Sequence, residues 1–160
     1  MPNHICNIVK IKGNSEEVKK IMESIAKDTM EDKHDVTGYG TIDFNKIIPE
    51  PEYENRDDWY NWRIQNWGTK WNAYDQIKTE KPNELYFLTA WSAPKEIYEA
   101  LTKKFPNLTI EVDYADENMG YNCGKMIFEN GEMVAELKNQ YSRYSVKLAK
   151  QIWEKYDKLS

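Results

Sequence analysis

Cysteine, histidine and glycine are scarce in this sequence, and each shortage removes a class of chemistry. Two cysteines, Cys6 and Cys123, stand far apart among 160 residues. An iron–sulfur cluster takes four thiolates, and a disulfide-built secreted scaffold needs several bridges. Two cysteines supply neither. The two histidines, His4 and His34, belong to no His-x-Glu pair and no Ser/His/Asp order. The seven glycines form no Walker, dinucleotide-binding or Gly-x-Ser-x-Gly pattern. No stretch approaches the run of about 20 apolar residues that spans a bilayer, so no membrane contact is expected. The opening Met-Pro-Asn-His lacks the basic and apolar regions of a signal peptide. The expectation is a cytoplasmic chain with reduced cysteines, no metal and no cofactor.

What the sequence does hold is aromatic and acidic. Six tryptophans and eleven tyrosines bring the aromatic share to 13%, so the core draws on aromatics as much as on aliphatics. Net charge is −5 and the pI is about 5.2. That field disfavours nucleic acid, leaves room for a local basic patch, and suits a basic partner. The length fits one domain, 1–160.

Periodicity marks the elements. His4 to Lys12 is a strand, with Ile5, Val9 and Ile11 of one parity. Gly13-Asn14-Ser15 turns the chain, Ser15 reads as an N-cap, and Val18, Ile21, Met22 and Ile25 carry a helix to Lys27. Asp28 to Gly40 is polar and reads as a loop. Thr41 to Ile48 alternates Ile42 and Phe44 and reads as a second strand, stopped by Pro49-Glu50-Pro51. Residues 52–83 read as an insertion, with a short helix over Asp57 to Asn66. It carries Trp59, Trp62, Trp67 and Trp71, which a linker would not. Glu84 to Trp91, apolar on both faces, reads as a central strand. Pro94 opens a helix whose stripe is Ile97, Tyr98, Leu101 and Phe105. Leu108 to Tyr114 alternates as a fourth strand. Cys123 to Glu129 is a further strand, Asn130-Gly131 a hairpin turn, and Glu136 to Leu159 a long terminal helix.

Two stretches share offsets. Val9 to Met22 and Leu88 to Leu101 each run strand, turn, glutamate, then apolar residues at helical spacing. Two β-α-β units in one small chain predict an α+β fold of the ferredoxin-like, split β-α-β kind. An antiparallel sheet with both helices on one face is the expected result. The core would occupy 1–130, with the helix at 136–159 as an addition.

Three blocks resemble a known family: Met1-Pro-Asn-His-x-Cys-Asn, Asn66-Trp-Gly-Thr-Lys-Trp-Asn-Ala73, and Thr89-Ala-Trp-Ser-x-Pro94. Together they are similar to the YubB-type ferredoxin-like domain family of phage, plasmid and bacterial proteins, over Met1 to Met126. The resemblance implies the same fold and a mobile-element setting in a bacterial cytosol. It carries over no catalytic residues.

Each constellation has a functional and a structural reading. His4, Cys6 and Cys123 could together ligate zinc, but structural zinc takes four ligands, and a core thiol with a polar strand end is favoured. Trp59, Trp62, Trp67, Trp71 and Trp91 could stack on bases, with Arg63 and Lys70 on phosphates. The competing reading is an aromatic mini-core, in which Trp67 and Trp71 are scaffold and Trp59 and Trp62 the exposed pair. Glu111 and Asp113 share a strand face and read as solvated. The 116–124 loop, with Asn118, Tyr121 and Asn122, reads as a binding loop or a wide hairpin. The terminal helix is the most basic segment. It could cover the open face of the sheet, or join two copies as a homo-oligomer.

No catalytic set emerges. The expected function is non-enzymatic binding of a host protein or protein–nucleic-acid complex, with an anti-defence role such as CRISPR inhibition as its sharpest form. The alternative is a nucleotide or small-ligand binder using Trp59, Trp62 and the 116–124 loop.

Overall fold

The computed structural model describes residues 2–27, 40–138 and 140–160. His34 and nearly all of the stretch read as a loop lie outside the described residues. Among the described residues, six strands and four helices follow the order β1 (His4–Lys12), α1 (Ser15–Ile25), α2 (Trp59–Asn66), β2 (Tyr74–Ile77), β3 (Glu84–Ala90), α3 (Lys95–Lys104), β4 (Thr109–Asp116), β5 (Cys123–Glu129), β6 (Glu132–Lys138) and α4 (Arg143–Leu159).

The sheet runs β2-β3-β1-β4-β5-β6, and every neighbouring pair is antiparallel. Its first four positions are the ferredoxin-like arrangement. In each half a helix crosses from one strand to the next but one, and the gap is filled by a strand of the other half. The β5–β6 hairpin widens the sheet beyond β4. Its turn residues Asn130 and Gly131 both have positive φ, at 53° and 80°, as a two-residue hairpin turn requires.

Strand parity sorts the core into two layers. Ile5, Val9 and Ile11 of β1, Leu85 and Phe87 of β3, and Ile110 and Val112 of β4 face α1 and α3. There they meet Val18, Ile21, Ile25, Ile97, Tyr98 and Leu101. The opposite parity, Cys6, Ile8, Tyr86 and Leu88, meets Leu148, Ala149, Ile152 and Tyr156 of α4. The terminal helix therefore closes the sheet face that a four-stranded core leaves open. Two hydrogen bonds fasten it there, Trp153 Nε1 to Asp116 O at 3.1 Å and Tyr156 OH to Asp75 O at 2.7 Å. Its first turn is a reciprocal cap. Ser145 N donates to Ser142 Oγ at 3.0 Å, and Ser142 N donates to Ser145 Oγ at 2.8 Å.

Several expectations need correction. Thr41 to Ile48 is not a strand. Ile42 and Phe44 are fully buried, but the segment is irregular with one 3-10 turn at Phe44–Lys46. The second strand of the core is Tyr74–Ile77, inside the span read as an insertion. The terminal helix starts at Arg143, because Glu132–Lys138 pairs with β5 as a strand. At α1 the cap is Asn14, whose side chain accepts from Glu16 N and Glu17 N, rather than Ser15. Pro94 stands at the cap of α3, one residue before its first turn.

Candidate functional site

The two tryptophan motifs form one interlocked unit at the end of the sheet. Trp67 is fully buried and its Nε1 donates to Ile48 O at 2.9 Å. Gly68 follows at φ 76°, a left-handed conformation that glycine adopts without the Cβ penalty, and packs against the Glu96 carboxylate. Thr69, fully buried, donates from Oγ1 to Ala90 O at 2.8 Å, and Ser92 Oγ donates to Gly68 O. Beneath them lies a buried polar chain. Asn7 Nδ2 donates to Thr89 Oγ1 at 2.9 Å, Tyr98 OH donates to Asn7 Oδ1 at 3.1 Å, and Thr89 Oγ1 donates to Ser92 O at 2.8 Å. No described buried side-chain polar atom lacks a partner. This network ties β1, β3, α3 and the Gly68 turn into a rigid base.

An exposed aromatic surface stands on that base. Trp91 leaves β3 with φ 68°, a left-handed conformation rare for a bulky side chain. Its backbone is held from both sides, since Trp91 N donates to Asn3 O at 3.0 Å and Asn122 Nδ2 donates to Trp91 O at 3.1 Å. The ring, 43% exposed, faces outward. Lys70 Nζ sits 4.6 Å from the centroid of Trp91 and 4.7 Å from that of Trp71, itself 36% exposed. Tyr60 packs edge-on to Trp91 at 6.3 Å, and Tyr74 to Trp71 at 6.1 Å. Strain of this kind persists where the surroundings over-determine it, and it concentrates at ligand contacts. The arrangement offers a preoriented ammonium between two indole walls, suited to contact with a flat or anionic group.

The anticipated site residues divide between this surface and the scaffold. Lys70 and Asn122 belong to the surface. Tyr121 and Asn118 lie beside it on the connecting loop, which is clipped to β1 by Glu117 N to His4 O at 2.9 Å. Arg63 serves the scaffold. Its Nε donates to Glu50 Oε1 at 2.7 Å and its Nη2 to Oε2 at 3.1 Å, while the guanidinium lies over Trp59 and Trp67 at 5.0 and 5.2 Å. Burial pushes the Glu50 carboxyl up, but hydrogen bonds from Arg63 and Tyr53 and the Arg63 charge hold it below the usual range. Trp62 packs against the core beside Trp67 at 5.5 Å. Trp59 is half-buried against Tyr60. The exposed pair is therefore Trp71 and Trp91. Sequence reasoning had placed Trp71 in the scaffold and Trp62 in solvent. The run Trp67 to Trp71 across a Gly68 turn could have signalled that the two indoles point apart.

Cys6 and Cys123 are buried free thiols. Burial pushes both up, helped by Asp157 for Cys6 and Asp116 for Cys123, which suits neither nucleophile nor metal ligand. Among the described residues no group of three His, Cys, Asp or Glu side chains could hold a metal ion. Glu111 pairs with Lys12 at 2.9 Å and Asp113 with Lys125 at 3.2 Å on a half-exposed sheet face. Among the described residues no helix is long and apolar enough to cross a membrane.

The family model described as the ferredoxin-like domain in Api92-like protein matches residues 66–155, from the Trp67 motif through most of α4. The chain belongs to that family. Its ferredoxin-like domain thus takes in both tryptophan motifs and the helix on the far side of the sheet. The crystal structure of a protein api92 from Yersinia pseudotuberculosis is similar at 18% identity and a TM-score of 0.48, over 62% of this chain and 39% of that one. This chain therefore corresponds to well under half of that relative. No curated protein matches it.

Proposed function

We propose that this protein is a non-enzymatic binding protein that recognises a host macromolecule through the Trp71–Lys70–Trp91 surface. One observation carries the reading: Trp91 is held in a left-handed conformation with its ring outward, against an ammonium that it shares with Trp71. Exposed tryptophan and tyrosine rings on a rigid base are the residue types enriched at interface hot spots. The partner is a host protein or protein–nucleic-acid complex in a bacterial cytosol. The resemblance of the three sequence blocks to the YubB-type family supports a mobile-element origin, and with it an anti-defence role.

Affinity capture from host cells tests this, comparing the unaltered protein with a Trp71→Ala/Trp91→Ala double variant and a Lys158→Gln control. Partners enriched by the protein and the control but lost with the double variant support the surface. Equal capture by all three overturns it. A second reading, nucleotide binding, is favoured by the flat exposed indoles beside Lys70. It requires a saturable change in tryptophan fluorescence on nucleotide addition that Trp91→Ala removes.

A further inference from the structure

The solvent face of α4 has no part in the Trp91 surface or in docking the helix, yet it carries most of the helix's charge. The helix contributes five cations against two carboxylates in a chain of net charge −5. Its buried side is Ser145, Leu148, Ala149, Ile152 and Tyr156. Arg143, Lys147 and Lys150 lie opposite, at i, i+4 and i+7, and form one exposed row about 10 Å long. They line an open surface hollow with Tyr141, Val146 and Glu154. Among the described residues none of the three cations is in an ion pair with a carboxylate. Glu154, one turn beyond Lys150, is the one carboxylate lining the hollow, so the three cations leave it net positive, and its complement is an anionic polymer.

Aromatic rings border the stripe at its N-terminal end. Tyr141 is 72% exposed and Tyr144 46% exposed. Tyr121, from the β4–β5 loop, lies against Tyr141 with ring centroids 5.9 Å apart. The Tyr141 backbone is held at φ 56° by its N–H donating to Gly120 O at 2.9 Å, and its side chain lines the hollow. A basic row with exposed tyrosines is the pattern that binds unpaired bases by stacking and the backbone by charge. Duplex bases present no free faces to such rings. An acidic peptide would satisfy the cations but leave the tyrosines without a partner.

We propose that this face of α4 binds single-stranded nucleic acid, with Arg143, Lys147 and Lys150 on phosphates and Tyr141 and Tyr144 stacking on bases. The site shares the β4–β5 loop with the Trp91 surface, since Tyr121 packs on Tyr141 and Asn122 holds Trp91 O. Together the two would suit a partner that is itself a protein–nucleic-acid complex.

Fluorescence anisotropy with labelled 15-nucleotide single-stranded DNA and RNA tests the inference. With three phosphate contacts, affinity falls roughly 20-fold between 50 and 200 mM salt. An Arg143→Gln/Lys147→Gln/Lys150→Gln variant loses at least ~10-fold in affinity and most of that salt dependence, while a conservative Arg143→Lys/Lys147→Arg/Lys150→Arg variant keeps both. Lys19→Gln, at an exposed cation of α1 on the other side of the sheet, leaves this binding unchanged. The docked side of α4 is untouched, and an unchanged circular-dichroism melt verifies the fold of each variant. No binding at 50 mM salt overturns the proposal. So does equal binding by the glutamine variant, or tighter binding of poly-glutamate than of the oligonucleotides.

Discussion

Trp91 allows the geometry of the candidate surface to be tested without knowing its partner. Replacing it with alanine or with glycine removes the same ring, the same Lys70 contact and the same edge-on contact with Tyr60. The two variants differ in the backbone alone. Alanine at φ 68° keeps the left-handed penalty of about 1–2 kcal/mol, which glycine escapes. Glycine in turn loses about 0.5–1 kcal/mol through the greater freedom of its unfolded chain. The difference leaves Trp91→Gly more stable than Trp91→Ala by about 0.5–1 kcal/mol, the reverse of the order in regular structure. Urea denaturation followed by far-ultraviolet circular dichroism measures this directly. In a chain of this size the gap corresponds to about 1–4 °C in melting temperature. An alanine variant as stable as the glycine variant, or more so, would refute the claim that the fold holds residue 91 in a left-handed conformation.

Other perturbations probe the base and the rear of the sheet. Tyr98→Phe leaves the buried Asn7 Oδ1 without its donor and should cost about 1–3 kcal/mol in urea denaturation. Ile152→Ala removes a side chain only 3% exposed between α4 and the sheet, for a loss of about 2–5 kcal/mol. The loss would be near zero if α4 were undocked in solution. Glu50, held low by Arg63 and Tyr53, contributes stability above its ordinary value of 4.5 that disappears as pH falls through its folded value. Glu50→Gln should therefore flatten the decline in melting temperature below about pH 4.5, and an unchanged acid profile would show that the Arg63 pair is unimportant.

The regular elements were legible where burial follows a single period. α1 and α3 each present a helical stripe to one core, the strands β1, β3, β4 and β5 send alternate residues to two cores, and the paired β-α-β offsets led to the ferredoxin-like order. Thr41 to Ile48 misled because Ile42 and Phe44 are buried at alternating positions without pairing to a neighbour; alternation reports burial, not a ladder. β2 was hidden because its four residues include Asp75 and Gln76. Gln76 is buried, and its Oε1 accepts from Ile42 N at 2.9 Å, a long-range role that spacing does not reveal. Ala135 to Lys138 has helical propensity, but the Asn130-Gly131 turn folds it back onto β5 and tertiary pairing wins.

At the candidate surface the residue types were legible and their sorting was not. Lys70 and Asn122, both named as binding candidates, lie at Trp91 in the fold. The roles of Arg63, Trp62, Trp71 and Trp91 depend on partners such as Glu50, Asn3 and Ile48, which are distant in sequence and meet only in the fold.

The proposed surface depends on a division of the tryptophans, with Trp67 sealed in the scaffold and Trp71 and Trp91 facing solvent. Indole N–H resonances in a nitrogen-15 spectrum, read with a soluble gadolinium chelate, report that division residue by residue. Trp71 and Trp91 should broaden most and Trp67, donating to Ile48 O and fully buried, least. Broadening of Trp67 equal to that of Trp91 would contradict the account.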